Sequence, residues 1–359
     1  MLSVGLTRQY FHRWERQLAS VDRNRVVRPF DWGVNWIPDD ERITVDHGDP
    51  ALVVQAWAKR AVENSDAWFA VEPARRYGTS SLPADAQPGE RMVTFDSGVT
   101  TPHPENNTVY ARYFPAAPKR RADGSPAPRR ALVVTAQWNA DESGHVGLCR
   151  LLQRLGMSAL RITLPYHDRR KPPDLERADY IVSTNIAQTL QVCRQAVVDI
   201  RRAVAWLDEQ GYERIGLVGT SLGSCLSALA ATHEPLVKAM AFNHVSPWFA
   251  DVIWEGISTA HVRAGMEGHI DLPGLREVWR PISPQPYMDR LGNRPSLLVY
   301  ARYDLSFPLH LSRDAVREFC SHNESTEVRV LPCGHYTSGV TPFKYLDGYY
   351  LARFLHKQL

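Results

Sequence analysis

Residues 214–233, RIGLVGTSLGSCLSALAATH, combine an apolar run, a serine flanked by glycines and a run of small residues. The apolar run 215–218 predicts a strand buried on both faces, and the small residues 224–231 predict a helix packed against it. Between them lies Gly219-Thr220-Ser221-Leu222-Gly223, a G-x-S-x-G pattern at the turn from strand to helix. Such a turn can hold a serine in an exposed and strained backbone conformation. The segment therefore predicts Ser221 as a nucleophile in an α/β protein.

The two glycines of this pattern, Gly219 and Gly223, suit a tight turn because a side chain at either position would collide with the neighbouring strand or helix. The helix that follows points its first N–H groups at Ser221, which favours developing negative charge there. The bare pattern arises by chance in roughly one chain in ten of ordinary composition, and the alternative is a Gly-Ser turn without a catalytic role. Its position between a strand and a helix favours the catalytic interpretation.

Strands and helices alternate on both sides of this segment. Further apolar runs that predict strands lie at 93–99, 108–114, 131–138, 158–165, 237–243, 296–304 and 327–333. The clearest helix is predicted over 180–210, where apolar residues recur at steps of three and four. They are Ile186, Leu190, Cys193, Val197, Ile200, Val204 and Leu207. Alternation of this kind predicts parallel βαβ units in a sheet that helices cover on both faces.

The composition limits the kind of protein and the kind of partner. Of 359 residues, 44% are hydrophobic and 23% charged, and the formal net charge of +3 comes from scattered Lys and Arg, which argues against nucleic acid. The five cysteines form no C-x-x-C pair, so we expect neither disulfides nor a zinc site. The N-terminus lacks a signal-peptide pattern and no apolar stretch is long enough to span a membrane, so we expect a cytoplasmic protein with no membrane span.

Two residues after predicted strands are candidates for an acid and a base, which a serine hydroxyl needs at neutral pH. Asp304 follows the apolar run 296–302, at the carboxyl end of a strand, where a parallel sheet presents its functional residues. His335 follows the run 327–331, and we expect Gly334 before it to let the backbone turn the imidazole toward Ser221. Three other histidines fall within or at the ends of predicted helices and are interpreted as surface residues: His310, His322 and His356.

The sequence GTSLG, a Tyr-Asp pair after a strand and a Gly-His pair after the last strand occur in this order over residues 91–359, and together they resemble the α/β-hydrolase superfamily. The resemblance implies the α/β-hydrolase fold, a mostly parallel central sheet flanked by helices. It also implies a catalytic triad of Ser221, Asp304 and His335, without a metal or cofactor. On this basis we expect cleavage of a small-molecule carboxylic ester, or thioester, through an acyl-enzyme.

The same resemblance implies an oxyanion hole made of two backbone N–H groups. One belongs to Leu222, the residue after the nucleophile. The other belongs to the loop after the third strand of the family, here Asn139 or Trp138, and the sequence leaves the choice between them open. We interpret the nearby His167 as a structural hydrogen-bonding residue.

Three other activities or roles are compatible with these residues. A serine peptidase and an acyltransferase would use the same triad, and a non-catalytic ligand-binding protein could keep the fold alone. The serine peptidases that resemble this chain carry a large β-propeller, which 90 N-terminal residues cannot supply. The oligomeric state and the physiological substrate are left open.

The sequence divides into a core and two additions. Residues 1–90 are predicted to form a helical extension, including a helix over 51–70, with no residue assigned to chemistry. Residues 91–245 and 286–359 form the hydrolase core, and 246–285 form a helical cap insertion. Because caps are inserted here in the resembling family, we expect this segment to be mobile and to bind the substrate through Trp248, Phe249 and Trp254; the alternative is a static packing insert.

Overall fold

The computed structural model describes residues 2–22, 24–43, 48–72 and 76–359. These residues form one sheet of nine strands and eleven α-helices. The strands are β1 (Tyr77–Ser80), β2 (Arg91–Asp96), β3 (Thr108–Phe114), β4 (Arg130–Thr135), β5 (Ser158–Ile162), β6 (Arg214–Thr220), β7 (Val237–Asn243), β8 (Ser296–Ala301) and β9 (Thr326–Leu331). The helices are α1 (Leu2–Ala19), α2 (Pro50–Glu63), α3 (Ser65–Trp68), α4 (Val146–Arg154), α5 (Ile186–Glu209), α6 (Leu222–His233), α7 (Phe249–Glu255), α8 (Ala260–Met266), α9 (Leu272–Val278), α10 (Leu309–His322) and α11 (Phe343–Gln358).

The sheet has the order β1-β2-β3-β5-β4-β6-β7-β8-β9. The six strands from β5 to the β9 edge run parallel, whereas β1, β2 and β3 pair antiparallel at the other edge. This arrangement confirms the predicted α/β class and the mostly parallel sheet of the α/β-hydrolase fold. The sequence analysis did not predict β1, because its residues are largely exposed and lack the apolar alternation of a half-buried strand.

Helices cover both faces of the sheet. Alternate residues of the central strand β4 pack into two separate hydrophobic clusters, with Ala131 and Val133 in one and Leu132 and Val134 in the other. The first cluster includes residues of α2, α5, α6 and α7, and the second includes residues of α4 and α11. This is the alternation that a strand buried on both faces requires. Among the helices described, none is both long enough and apolar enough to cross a membrane.

The long helix α5 begins later than the sequence predicts, at Ile186 instead of 180. The side chain of Asn185 accepts a hydrogen bond from the Gln188 N–H, which caps the helix and fixes its first turn. All seven periodic residues are buried, as predicted. The predicted helix 51–70 is divided into α2 and α3, which meet at Asn64.

A buried ion pair connects α5 to the loop that follows β5. Asp199 of α5 lies 2.9 Å from the Arg170 guanidinium, and both side chains are fully buried. The carboxylate also accepts hydrogen bonds from the Ser97 hydroxyl and the Gly98 N–H, and Arg170 donates to the Thr163 carbonyl at 2.9 Å. The pair therefore joins three segments of chain: α5, the residues after β2 and the loop after β5.

Replacing Asp199 with Asn should lower the free energy of unfolding by about 3–5 kcal/mol, because the Arg170 charge would stay buried without its counter-ion. Urea unfolding followed by circular dichroism measures the change. Asp314→Asn provides the control, since the pair of Asp314 with Arg317 on α10 is solvent-exposed and should contribute less than about 1 kcal/mol. Equal losses for both variants would contradict the prediction.

Candidate active site

Ser221 lies in the turn between β6 and α6, at the carboxyl edge of the parallel strands. Its backbone has φ 57° and ψ −121°, a conformation that residues other than glycine rarely adopt. The Ser221 N–H donates to the Asn243 carbonyl at 2.7 Å, which ties the turn to the end of β7. The residue is 8% exposed and lines a cavity. Strain and tethering together hold this serine at the surface of that cavity.

The glycines on either side of Ser221 are required by close backbone contacts. A Cβ atom at Gly219 would lie 2.6 Å from the Gly223 carbonyl oxygen. A Cβ atom at Gly223 would lie 2.5 Å from the Ala136 carbonyl oxygen, in the chain that follows β4. Since real Cβ atoms do not approach backbone so closely, any other residue at either position would push α6 away from β6 or from β4.

Asp304 and His335 are brought together from the ends of β8 and β9. The Asp304 Oδ1 atom accepts the N–H groups of Ser306 and Phe307, both at 2.7 Å, which fixes the carboxylate. Its Oδ2 atom lies 3.1 Å from His335 Nδ1. The Phe307 ring stacks on the imidazole with 5.4 Å between ring centroids. The imidazole is therefore held on two sides, and Nδ1 is the atom that donates to the carboxylate.

The buried pair shifts both pKa values in the directions that favour ionic pairing. Burial by itself lowers the pKa of His335, but the attraction and the hydrogen bond of Asp304, helped by Glu15, outweigh it, so the pKa of His335 is raised above its ordinary value. Burial raises the pKa of Asp304, but His335 and His244 outweigh this and hold it well below its usual range. Asp304 is thus an anion at neutral pH, and it stabilises a proton on His335.

His244 is a second histidine at Asp304, and the sequence analysis missed it. Its Nδ1 atom lies 2.8 Å from the same Oδ2 atom, although not in the direction of a linear hydrogen bond, and the residue is 1% exposed. Its ring centroid lies 4.5 Å from that of His335. Burial, with the nearby His335, lowers the pKa of His244 and favours its neutral form. The available signal was its position directly after the strand run 237–243.

Ligand atoms of His244, Asp304 and His335 lie within 4.8 Å of one another, and among the described residues this is the group that could hold a metal ion. In the present geometry, however, His335 Nδ1 donates to the Asp304 carboxylate, and a nitrogen that donates a proton has no lone pair for a metal. The contacts therefore fit a hydrogen-bonded acid–base pair better than a metal site.

The backbone N–H groups around Ser221 differ in their availability. The Leu222 N–H is at the first position of α6 and has no partner within the helix. The Asn139 N–H donates to His167 Nε2 at 2.9 Å, whereas the Trp138 N–H makes no hydrogen bond among the described residues. Burial lowers the pKa of His167 to about 4, so this ring stays neutral and keeps accepting from Asn139. Of the two alternatives, Trp138 has an amide without a partner among the described residues, whereas the Asn139 amide is already bonded to His167.

The cavity at Ser221 and His335 has a volume of about 1050 Å³. One part of its lining comes from α4 and α11 and is mainly apolar. Its apolar or small residues are Gly147, Leu148, Leu151, Tyr345, Gly348 and Leu351, and the same two helices also contribute the charged residues Arg154, Lys344 and Asp347. Another part is polar and includes Arg177 and Ser258, together with Asp22 and Arg25 from the N-terminal extension. The extension, to which the sequence analysis assigned no chemistry, therefore reaches the cavity.

The three aromatic residues expected to bind substrate do not line this cavity: Trp248, Phe249 and Trp254. Phe249 is 3% exposed and packs on Trp279, with 5.8 Å between ring centroids. An arginine lies over each of the other two rings. The structure therefore places none of the three in this cavity, contrary to the prediction. Segment 246–285 is helical, with α7, α8 and α9, and it reaches the cavity at Ser258; its mobility stays a prediction.

A family of known sequences matches the central part of the chain. The family model described as alpha/beta hydrolase domain containing 18 matches residues 145–257. This range includes Ser221 and His244, and it ends before Asp304 and His335. The match therefore covers the turn at Ser221 and not the whole candidate site.

Solved structures are similar to the chain over most of its length. Acetyl xylan esterase from Paenibacillus sp. R4 has a TM-score of 0.60 and 15% identity, covering 89% of this chain and 98% of that chain. Acetyl xylan esterase 1 from Thermoanaerobacterium sp. JW/SL YS485 has a TM-score of 0.59 and 13% identity, covering 84% and 93%. The acylaminoacyl peptidase of Pyrococcus horikoshii has a TM-score of 0.55 and 14% identity, covering 75% of this chain and 42% of that chain. At these identities the similarity establishes the fold.

The Asp304 carboxylate should account for the raised pKa of His335. In Asp304→Asn the amide oxygen can still accept from Ser306 and Phe307, but the negative charge is lost. Burial then dominates, and the pKa of His335 should fall below its ordinary value of about 6.5. A proton NMR titration, with the imidazole signal assigned by its absence in His335→Asn, measures this. The exposed Asp289→Asn is the control, and a His335 pKa unchanged in Asp304→Asn would disprove the pairing.

Proposed function

We propose that this chain, a member of the α/β-hydrolase superfamily, is a serine hydrolase that cleaves a carboxylic ester or thioester through an acyl-enzyme. One observation carries the proposal: Ser221, in its strained turn, shares a cavity with a His335 imidazole that is bonded through Nδ1 to a buried carboxylate. A non-catalytic binding protein would have no need of this combination. Ser221 is then the nucleophile, His335 the general base and Asp304 the residue that orients the base.

In the acylation step, the Ser221 Oγ atom attacks the ester carbonyl carbon while His335 Nε2 takes its proton. Asp304 keeps the other proton on Nδ1, so that Nε2 has the lone pair that the step requires. The developing imidazolium is stabilised by the same carboxylate. His335 then gives its proton to the departing alcohol or thiol. In the second step water attacks the acyl-enzyme, again with His335 as base, and releases the acid.

The tetrahedral oxyanion would rest on the backbone N–H groups of Leu222 and Trp138. Leu222 offers an amide at the N-terminus of α6, where the helix dipole adds to the attraction. Trp138 offers its amide from the loop after β4, and the contact of Gly223 with this chain keeps the loop beside the turn. The hydrogen bond from Asn139 to His167 supports the position of the loop without using the Trp138 amide.

The acyl chain of the substrate would occupy the apolar wall between α4 and α11. This wall replaces the three aromatic residues that the sequence suggested. Leu148, Leu151 and Leu351 supply apolar surface that is continuous with the cavity at Ser221. An added Cβ atom at Gly147 or Gly348 would meet no atom within 4 Å, so open space adjoins the wall at both positions.

Two other functions use the same residues and are separated by substrate. A peptidase would be recognised by a high rate of amide cleavage relative to the rate for the matched ester. An acyltransferase would transfer the acyl group to an added alcohol in preference to water. No observation on the described residues favours either, whereas the apolar wall favours an ester with an acyl chain.

Ser221→Ala should reduce hydrolysis of p-nitrophenyl esters by about 10⁴-fold or more and abolish labelling by a fluorophosphonate, because the attacking oxygen is lost. His335→Gln should lose activity to a similar extent, since no base remains. His322→Gln, at the exposed end of α10, serves as the control and should match the wild type. Retention of activity within about tenfold in Ser221→Ala would remove the nucleophile from the proposal.

Gly348→Leu should shorten the range of acyl chains accepted, because its side chain would fill the space along α11. The ratio of kcat/KM for the octanoate ester over the acetate ester should fall about tenfold or more, as each excluded methylene costs about 0.8 kcal/mol. Gly5→Leu is the matched control, a helical glycine with equally open surroundings that does not line the cavity. An unchanged ratio in Gly348→Leu would place the acyl chain elsewhere.

A further inference from the structure

A buried carboxylate from the N-terminal extension contacts the loop of His335. Glu15, in α1, is 0% exposed. Its Oε2 atom accepts the Tyr336 N–H at 3.0 Å, and its Oε1 atom accepts both the Thr337 N–H and the Thr337 hydroxyl at 2.9 Å. These donors complement an ionised carboxylate and oppose the effect of burial, which is the larger influence and raises the pKa of Glu15 above its ordinary value. Such a group is costly to bury without partners, so its three bonds are a specific arrangement.

The same hydrogen-bond network also includes Gly334, the residue before His335. The Thr337 Oγ1 atom accepts the Gly334 N–H at 2.7 Å while it donates to Glu15. The backbone immediately before and immediately after His335 is thus joined to one carboxylate. A Cβ atom at Gly334 would lie 2.3 Å from Glu15 Cδ, so this glycine is needed for the close approach of Glu15. The sequence analysis had instead assigned it to backbone rotation.

Helix α1 also contacts the segment that carries Asp304. The Phe11 ring stacks on Tyr303, the residue before Asp304, with 4.8 Å between centroids and 6° between planes. The Tyr303 N–H donates to the Cys333 carbonyl at 2.9 Å, which joins the two loops directly. One turn separates Phe11 from Glu15 on the helix, so a single face of α1 packs on the loops of both residues.

We propose that Glu15 is a positioning residue for His335, which makes helix α1 part of the active site. The proposal rests on the proposed function in that His335 is taken as the base. Glu15 acts by fixing the backbone at 334–337, so that the imidazole meets both Asp304 and Ser221. Residues 1–90 then have a role in the chemistry that packing alone would not give them.

The charge of Glu15 offers a second, separate effect on His335. Among the described residues, three titratable groups contact this imidazole, namely Asp304 from the end of β8, His244 from the end of β7 and Tyr336 beside it, and Glu15 from α1 acts on it through its charge. Glu15 adds to the Asp304 attraction that raises the pKa of His335. Removing its charge should therefore lower that pKa, and a loop shift that weakens the contact of His335 with Asp304 would lower it further.

Glu15→Gln tests the proposal in the full chain. The amide keeps the shape but places N–H₂ against a backbone donor, which should shift the loop. We expect kcat for a p-nitrophenyl ester to fall by about tenfold to a hundredfold, the effect of a misplacement of about 1 Å, with KM unchanged. We also expect the NMR pKa of His335 and the acid limb of kcat/KM to move to lower pH. Arg16→Gln, exposed on the same helix, is the control and should alter neither.

A folded Glu15→Gln protein with wild-type kcat and an unchanged His335 pKa would overturn the proposal. If circular dichroism shows that this variant does not fold, Thr337→Val decides, because it removes only the hydroxyl between Gly334 and Glu15. A fall in its kcat with KM unchanged would support the proposal, and wild-type kcat would overturn it. Absence of fluorophosphonate labelling in the wild type would instead be a failure of the proposed function, and the NMR pKa tests Glu15 independently of activity.

Discussion

The close contact of three backbone segments at Gly219 and Gly223 is the constraint on which the site depends. Because neither glycine has a Cβ atom, α6 starts directly against β6 and against the chain after β4. This proximity leaves Ser221 in its strained conformation and keeps the chain after β4 beside the turn. The parallel order of the strands then places the ends of β7, β8 and β9 along the same edge. A local contact between small residues thus determines the position of Ser221, and the other residues of the candidate site lie at strand ends along the same edge.

The buried charge of Asp304 is the second constraint on the site. Asp304 is buried, and two N–H bonds and two imidazoles offset the cost of its charge. A carboxylate with so many partners cannot move without leaving several of them unpaired, and it therefore fixes the tautomer and direction of His335. His244 shares the carboxylate and remains neutral through burial, so it adds a polar contact to Asp304 without adding a positive charge beside His335.

The sequence was sufficient for the features that depend on local pattern. Apolar runs identified β2 to β9, and the glycine-flanked serine identified the turn at Ser221. Residues at strand ends suggested Asp304 and His335, which the structure joins by a hydrogen bond. Patterns of this kind are visible because they follow from the period of a strand or helix and from the space around a turn. The short edge strand β1 has no such pattern and was missed.

The errors concern contacts between distant segments. Aromatic residues in 246–285 suggested a binding surface, but Phe249 found its partner in Trp279, and no local pattern can show which ring another segment will cover. Glu15 is a single acidic residue in an otherwise ordinary helix, and its meaning appears only with the loop at 334–337, more than three hundred positions away. Gly334 shows the same limit. The sequence analysis singled out this glycine, but the close approach of the Glu15 carboxylate, which explains why no side chain fits there, is visible only in the structure. Residues at strand ends can thus be predicted from sequence, because the strands themselves have a recognisable pattern. The contact of helix α1 with the loop at 334–337 can be identified only from the fold.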